Sequence, residues 1–396
     1  MWWLIATACL IQTIGSSEEI TRRKRDVNPE IHMNVSQVIV YRGYPSEEYE
    51  VLTDDDYYLT INRIPYGRSH LTVRGPKPVV FLQHGLFGEA SHWVENMANN
   101  SLGFILADAG YDVWLGNNRG TSWSRKHQNL TADDEDYWNF SFHEMAMHDL
   151  PAMINFVLKK TRQKQLYYVG YSQGCTIGFI AFSAMPELSR KIKMFFALAP
   201  VITIKHARSP TLKLLSSLPD YSPKDILASR DFILSRKPMK DLTTKLCSNI
   251  LMQKFCGNLI FFSGGFNATN LNMSRIDVYA ARYPDGTSVK NILHWKQTRE
   301  SGLFRYFDYG SDNQVKYNQS YPPSYKVEDM VLPTAVWSGG NDLIASREDT
   351  AVLLSRITNL VYQHELSDWN HWDFIWGLSA PKQIYCKILQ LMKKDQ

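Results

Sequence analysis

From Val38 onward the chain alternates short apolar runs with longer stretches of mixed character. Gln37-Val-Ile-Val-Tyr and Tyr49-Glu-Val-Leu-Thr predict two early strands. Tyr57-Tyr-Leu-Thr-Ile-Asn-Arg-Ile predicts a third, turned back on the second through Asp54-Asp55-Asp56. Pro78-Val-Val-Phe-Leu-Gln-His is then an almost unbroken apolar run ending at Gly85. Such runs suit parallel strands buried on both faces. Tyr111 to Gly116, Leu166 to Gly170 and Ile192 to Pro200 repeat the pattern. Ser101 to Ala109, Phe142 to Lys160 and Cys175 to Met185 lie between them with helical periodicity. Strands alternating with helices predict an α/β domain, its mostly parallel central sheet covered by helices on both faces.

Between Val201 and Pro323 this rhythm breaks into less regular, mainly helical sequence. It returns with Pro333-Thr-Ala-Val-Trp-Ser-Gly-Gly and Leu360-Val-Tyr-Gln-His-Glu-Leu, and a last helix is expected over Pro381 to Lys393. The predicted division is a core over 28–200, a cap inserted over 201–328 and the rest of the core over 329–396.

The N-terminus has a different character. Trp2 to Gly15 is apolar but too short to span a bilayer, and small residues follow it. Residues 1–17 therefore read as a cleaved secretory signal. Residues 18–27, with the run Arg22-Arg23-Lys24-Arg25, read either as a solvated tail or as a short propeptide cleaved at that run. No other stretch approaches the roughly 18 apolar residues of a transmembrane helix. Sequons at Asn34, Asn99, Asn129, Asn139, Asn267, Asn272 and Asn318 fit a glycoprotein of the secretory route, extracellular or in the lysosome lumen. In such an oxidising compartment Cys247 and Cys256, alone in their segment, are the expected disulfide, with Cys175 and Cys386 free and buried. A net charge of +4, dispersed along the chain, argues against a nucleic-acid partner. No Cys/His spacing resembles a zinc site, and neither metal nor cofactor is expected.

Gly170-Tyr171-Ser172-Gln173-Gly174 matches G-x-S-x-G, with a predicted strand before it and a helix after it. That context is the nucleophile elbow of the α/β-hydrolase fold, where a strained turn lifts the serine hydroxyl to the carboxyl edge of the sheet. A serine hydroxyl needs a base, and in this fold the acid and then the histidine follow the serine in the chain. His364 sits inside a predicted strand, where a packed histidine is expected, whereas His371 lies in the loop beyond. His371 is therefore the expected base. Asp342, just after Trp337-Ser-Gly-Gly-Asn, is the expected acid, with Asp368 and Asp373 as rivals read as loop caps. The oxyanion donors expected are the N–H of Gln173 and that of Leu86, in the loop after Val80 to Gln83. His84 reads as a structural loop histidine.

Longer segments carry a resemblance. Gln83-His-Gly-Leu, Leu106-Ala-Asp-Ala-Gly-Tyr-Asp-Val-Trp-Leu-Gly, Trp123-Ser-Arg-Lys-His, Asp149-Leu-Pro-Ala, Leu271-Asn-Met-Ser-Arg, Gly286-Thr-Ser-Val and Asp373-Phe-Ile-Trp-Gly-Leu-Ser-Ala-Pro resemble the mammalian acid lipase family. The likeness runs from Asn28 to the C-terminus. It implies hydrolysis of triacylglycerols or cholesteryl esters at a lipid–water interface, beneath a cap. It also implies Ser172, Asp342 and His371 as triad, Leu86 and Gln173 as oxyanion pair and Cys247–Cys256 as disulfide. The chain departs from the family at Tyr171 and Asn341, where histidine is usual, and at Cys175 in place of threonine. Asp56 replaces a glycine, and the loop Asn117-Asn-Arg-Gly-Thr-Ser is altered. No departure removes a catalytic group.

Overall fold

The structure, a computed structural model, describes residues 28–68, 75–216, 231–232, 237–249 and 252–395. The expected signal and propeptide lie outside the described residues. The main sheet runs β1 (Glu47–Leu52), β2 (Tyr57–Ile64), β4 (Asp112–Gly116), β3 (Val79–Gln83), β6 (Leu166–Tyr171), β7 (Ile192–Leu198), β10 (Thr334–Gly339) and β11 (Leu360–Leu366). β5 (Lys126–His127) joins β2 from the side. β1, β2 and β4 pair antiparallel, and from β4 to β11 every pairing is parallel. β3, β4, β6 and β10 are buried throughout, as suits their largely apolar sequences.

Alternate residues of these strands feed two cores. Phe81, Trp114, Tyr168, Phe195 and Val336 point to one face, against Met153, Ile154 and Val157 of the helix ending at Thr161 and Ile177 and Ile180 of the helix Gln173–Ala184. Leu82, Leu115, Val169, Phe196 and Trp337 point to the other, against Phe104 and Leu106 of Leu102–Asp108 and Ile388 and Met392 of Cys386–Lys394. Each such side chain contributes about 1.5–3 kcal/mol of apolar burial. The order reverses at β3, whose neighbours β4 and β6 both follow it in sequence. In open α/β sheets the crevice outside the carboxyl ends at such a reversal is where ligands bind. Gln83 pairs with Gly170, so the loops leaving β3 and β6 emerge side by side.

The stretch between β7 and β10 carries the helices Pro210–Ser216, Lys237–Cys247, Gln253–Gly264, Ile276–Arg282 and Val289–Ser301, with a small ribbon of β8 (Asp231–Phe232) and β9 (Thr287–Ser288). A Cys247–Cys256 disulfide links the second helix to the third.

Three expectations are corrected. Gln37 to Tyr41 is not a strand but part of the helix Val35–Tyr41. Asn34 Oδ1 accepts the Gln37 N–H at 2.8 Å, and Gln37 Oε1 accepts the Asn34 N–H at 2.8 Å. This capping box starts a helix whose buried Val35, Val38 and Ile39 share one face, so the β-branched run is overridden. His364 is exposed rather than packed, because β11 is the edge strand. Cys386 is exposed, while Cys175 is buried as expected. The departure at Asp56 has a visible consequence: it holds φ 71°, a conformation that suits the glycine usual there.

Candidate active site

Ser172 directly follows β6 and precedes the helix Gln173–Ala184, with φ 53° and ψ −118°. That is a strained backbone for a non-glycine residue. The turn closes only because its flanks lack side chains. A Cβ on Gly174 would lie 2.3 Å from the Gln83 carbonyl oxygen, and one on Gly170 2.8 Å from the Cys175 nitrogen. A Cβ on Gly85 would lie 2.9 Å from the Ser172 Cβ, so the loop after β3 lies directly against the serine.

The three residues predicted from the motif order come together. His371 Nε2 is 2.9 Å from Ser172 Oγ, and His371 Nδ1 is 2.7 Å from Asp342 Oδ2. Asp342 Oδ1 accepts the N–H groups of Ile344 and Ala345, each at 2.8 Å, which fixes the carboxylate and leaves Oδ2 to the imidazole. All three residues are buried, with Ser172 the most accessible at 7%. Gln173 directly follows Ser172, and Leu86 follows Gly85 in the loop lying against it. Among the described residues neither N–H donates to a backbone carbonyl.

The rivals take other roles. Asp373 accepts the Asn370 N–H at 2.7 Å and the side-chain amides of Asn270 at 2.8 Å and Asn267 at 3.0 Å. It caps the histidine loop and ties it to the segment before Leu271. Burial pushes the Asp373 carboxyl up to about 6, against those three donors. Asp368 accepts from Ser367 Oγ at 3.0 Å. His84 Nδ1 lies 2.8 Å from the Gly85 carbonyl and its Nε2 accepts the Asn118 N–H at 3.2 Å, so it braces the loop.

Two supports of the site were not read from the sequence. The Gly264 carbonyl accepts the N–H of His371 at 3.1 Å and of Leu343 at 3.2 Å, so one peptide tethers both His371 and the loop of Asp342. Gly264 could have been noticed as half of a glycine pair closing an amphipathic helix. In the sequence Tyr171 stands out as a departure from the family pattern. Its hydroxyl donates to the His371 carbonyl at 2.9 Å, and its ring lies 5.1 Å from the imidazole. Asn341 is exposed and its N–H donates to the Trp369 carbonyl at 2.9 Å. Of the sequon asparagines, Asn267 has its amide committed to Asp373 and the Asp368 carbonyl.

Asp54, Asp55 and His148 bring ligand atoms within 4.8 Å of one another, away from this site. Asp55 is paired with Arg119 at 2.6 Å and Asp54 with His148 at 2.7 Å.

Beside Tyr171 the ring of His92 packs against Trp376 at 5.8 Å, and the Trp376 indole N–H donates to Glu95. Burial pushes Glu95 up to about 7, more than Arg282 pulls it down. Burial pushes His92 down to about 3. Glu95 is therefore neutral in its preferred folded form. Its contribution to stability is complete below about pH 4.5 and is lost as pH rises through about 7. His92 works oppositely: its contribution is present above about 6.5 and lost as pH falls toward 3. Glu95→Gln keeps the shape and removes the buried charge. Thermal unfolding should find the variant close to wild type at pH 5 and about 2 kcal/mol more stable at pH 8. Equal curves at both pH values would count against this account of Glu95.

Comparison with known proteins agrees with the geometry. Residues 78–378 match the family described as alpha/beta hydrolase fold, and residues 35–97 match a partial alpha/beta-hydrolase lipase region. The chain is 54% identical to the lysosomal acid lipase/cholesteryl ester hydrolase of Macaca fascicularis, over all of both chains. It is 53% identical to lipase member M of Mus musculus, covering all of this chain and 93% of that one. A solved alpha/beta hydrolase fold protein from Nakamurella multipartita superposes with a TM-score of 0.51 at 12% identity, over 88% of this chain and all of that one.

Proposed function

The chain belongs to the α/β-hydrolase family, among its lipases, and from that premise we propose that it is a serine lipase acting on esters of neutral lipids, triacylglycerols or cholesteryl esters, at a lipid–water interface. The observation that carries this reading is the hydrogen-bonded series Ser172–His371–Asp342 beside two unengaged N–H groups. His371 Nε2 takes the Ser172 proton as Oγ attacks the ester carbonyl. The oxyanion is received by the N–H groups of Leu86 and Gln173. His371 then hands its proton to the departing alcohol, leaving an acyl group on Ser172. Water, activated by the same imidazole, releases the fatty acid. Asp342 keeps the Nδ1 proton in place and stabilises the imidazolium.

Two features favour lipid over small soluble esters. A curated relative carries cholesteryl ester hydrolase in its name. The segment 201–328, read as the cap, presents an exposed apolar stripe. Phe255, Leu259 and Phe262 share one face of the helix Gln253–Gly264, Phe266 follows, and Leu242 and Leu246 lie exposed on the helix joined to it by the disulfide. Such a stripe suits contact with a lipid surface. We place the protein in the secretory route, lysosomal or extracellular, with the sequons other than Asn267 as the glycan sites. Among the described residues no helix is long and apolar enough to cross a membrane.

The test compares triolein and cholesteryl oleate emulsions with a soluble p-nitrophenyl ester. Turnover of the emulsions is expected, and turnover of the soluble ester alone would refute the lipase reading. The double variant Phe255→Ser, Phe262→Ser removes apolar contact worth roughly 1 kcal/mol or more per half-exposed ring. Its emulsion rate should fall at least about tenfold while the soluble rate holds. An equal loss on both substrates would assign the stripe to folding instead.

A further inference from the structure

The residues proposed to receive the oxyanion are gripped from the cap side. Gln173 Oε1 accepts two hydrogen bonds from the helix Val289–Ser301, from Trp295 Nε1 at 2.7 Å and from Asn291 Nδ2 at 3.0 Å. An indole N–H can only donate, so the orientation of the Gln173 amide is fixed. Its other end donates to the Met145 sulfur, a weak acceptor, at 3.5 Å. Asn291 cannot turn away without loss: Nδ2 also donates to Thr287 Oγ1 at 3.0 Å, and Oδ1 accepts the Phe142 N–H at 2.8 Å. The Trp295 ring packs 4.8 Å from Phe142. All three residues are buried. The opposite wall is held in the same way. The Asp285 N–H donates to the Phe87 carbonyl at 2.7 Å, one residue beyond Leu86, and Phe87 sits at φ 59°.

We propose that Trp295 and Asn291 are positioning residues for ester hydrolysis, holding the Gln173 side chain so that its backbone N–H points at the developing oxyanion. The proposal rests on the serine-lipase reading above. Gln173 is the first residue of its helix and follows the strained Ser172, so its N–H has no helical acceptor. The Ser172 carbonyl of the same planar peptide accepts the Cys175 N–H at 2.9 Å, and the clamped side chain adds a second hold from the cap side. Losing one oxyanion donor costs about 10²–10³ in kcat, and a donor misdirected rather than removed loses part of that.

The experiment uses the full chain and a soluble p-nitrophenyl ester, so that lipid adsorption plays no part. Trp295→Phe removes the N–H and keeps an aromatic ring. It should lower kcat about tenfold, with KM within about twofold of wild type. A general loosening of the fold would not produce that split. In a Gln173→Ala background, which keeps the backbone N–H and removes the clamped group, adding Trp295→Phe should cost nothing further. If Trp295→Phe does not fold by circular dichroism, Gln173→Met carries the test and should show the same loss in kcat. Wild-type kcat in the folded variant, or an equal Trp295→Phe loss in both backgrounds, would overturn the proposal. Ser172→Ala in the same assay separates the two levels. If it is inactive while the folded clamp variant keeps wild-type kcat, only the clamp falls; if it retains turnover, the serine reading falls too.

Discussion

Replacing Ser172 by alanine is expected to lower ester turnover by about 10⁶-fold while leaving the fold intact. The serine Oγ is the atom 2.9 Å from His371 Nε2, and no other hydroxyl has that position among the described residues. Alanine keeps the Cβ that touches the Gly85 loop and adds no strain at φ 53° beyond what serine already bears. Thermal unfolding should therefore shift by less than about 1 kcal/mol. The size of the activity loss follows from the way a triad acts. The imidazole and carboxylate accelerate nothing once the nucleophile is gone, and only binding and the oxyanion donors remain. A variant retaining even one hundredth of the wild-type rate would place the nucleophile elsewhere.

Asp342→Asn should lower kcat by about 10⁴-fold with little change in KM. The cause is the imidazole tautomer. Asp342 Oδ2 accepts the Nδ1 proton, which leaves Nε2 free to accept from Ser172. An asparagine whose Oδ1 still serves the N–H groups of Ile344 and Ala345 must turn its NH₂ toward His371. Nδ1 then becomes the acceptor and Nε2 carries the proton, so the base cannot take the serine proton. The loop is held as before, so binding survives. Asp373→Asn provides the control. It leaves the imidazole contacts untouched and perturbs only the loop cap, so kcat should fall by less than about tenfold. Reversed sizes for the two variants would exchange their roles.

The parts of this site that were legible in the sequence are those that short-range chemistry dictates. Val79–Gln83 and Leu166–Tyr171 had to be buried parallel strands because nothing polar interrupts them. Glycines at 170 and 174 announced a turn that no larger residue can make. The order serine, acid, histidine then left few partners, and His371 and Asp342 proved to be in register with Ser172. What could not be read depends on contacts between distant segments. A capping box outweighed the β-branched run at Val38, Ile39 and Val40. His364 is exposed because among the described residues no strand pairs with the outer side of β11, which only the strand order reveals. The grip of Trp295 and Asn291 on Gln173 joins segments far apart in the chain, as does the tie from Gly264 to His371. No local pattern encodes such pairs.

The central claim is that Ser172 is an activated nucleophile. Labelling the folded protein with a fluorophosphonate probe tests it most directly, because the probe needs the nucleophile, its base and the oxyanion donors together. One equivalent of label on wild type, mapped to the peptide containing Gly170-Tyr171-Ser172-Gln173-Gly174, and none on Ser172→Ala is the predicted result. No label on folded wild type, or equal labelling of the variant, would contradict it.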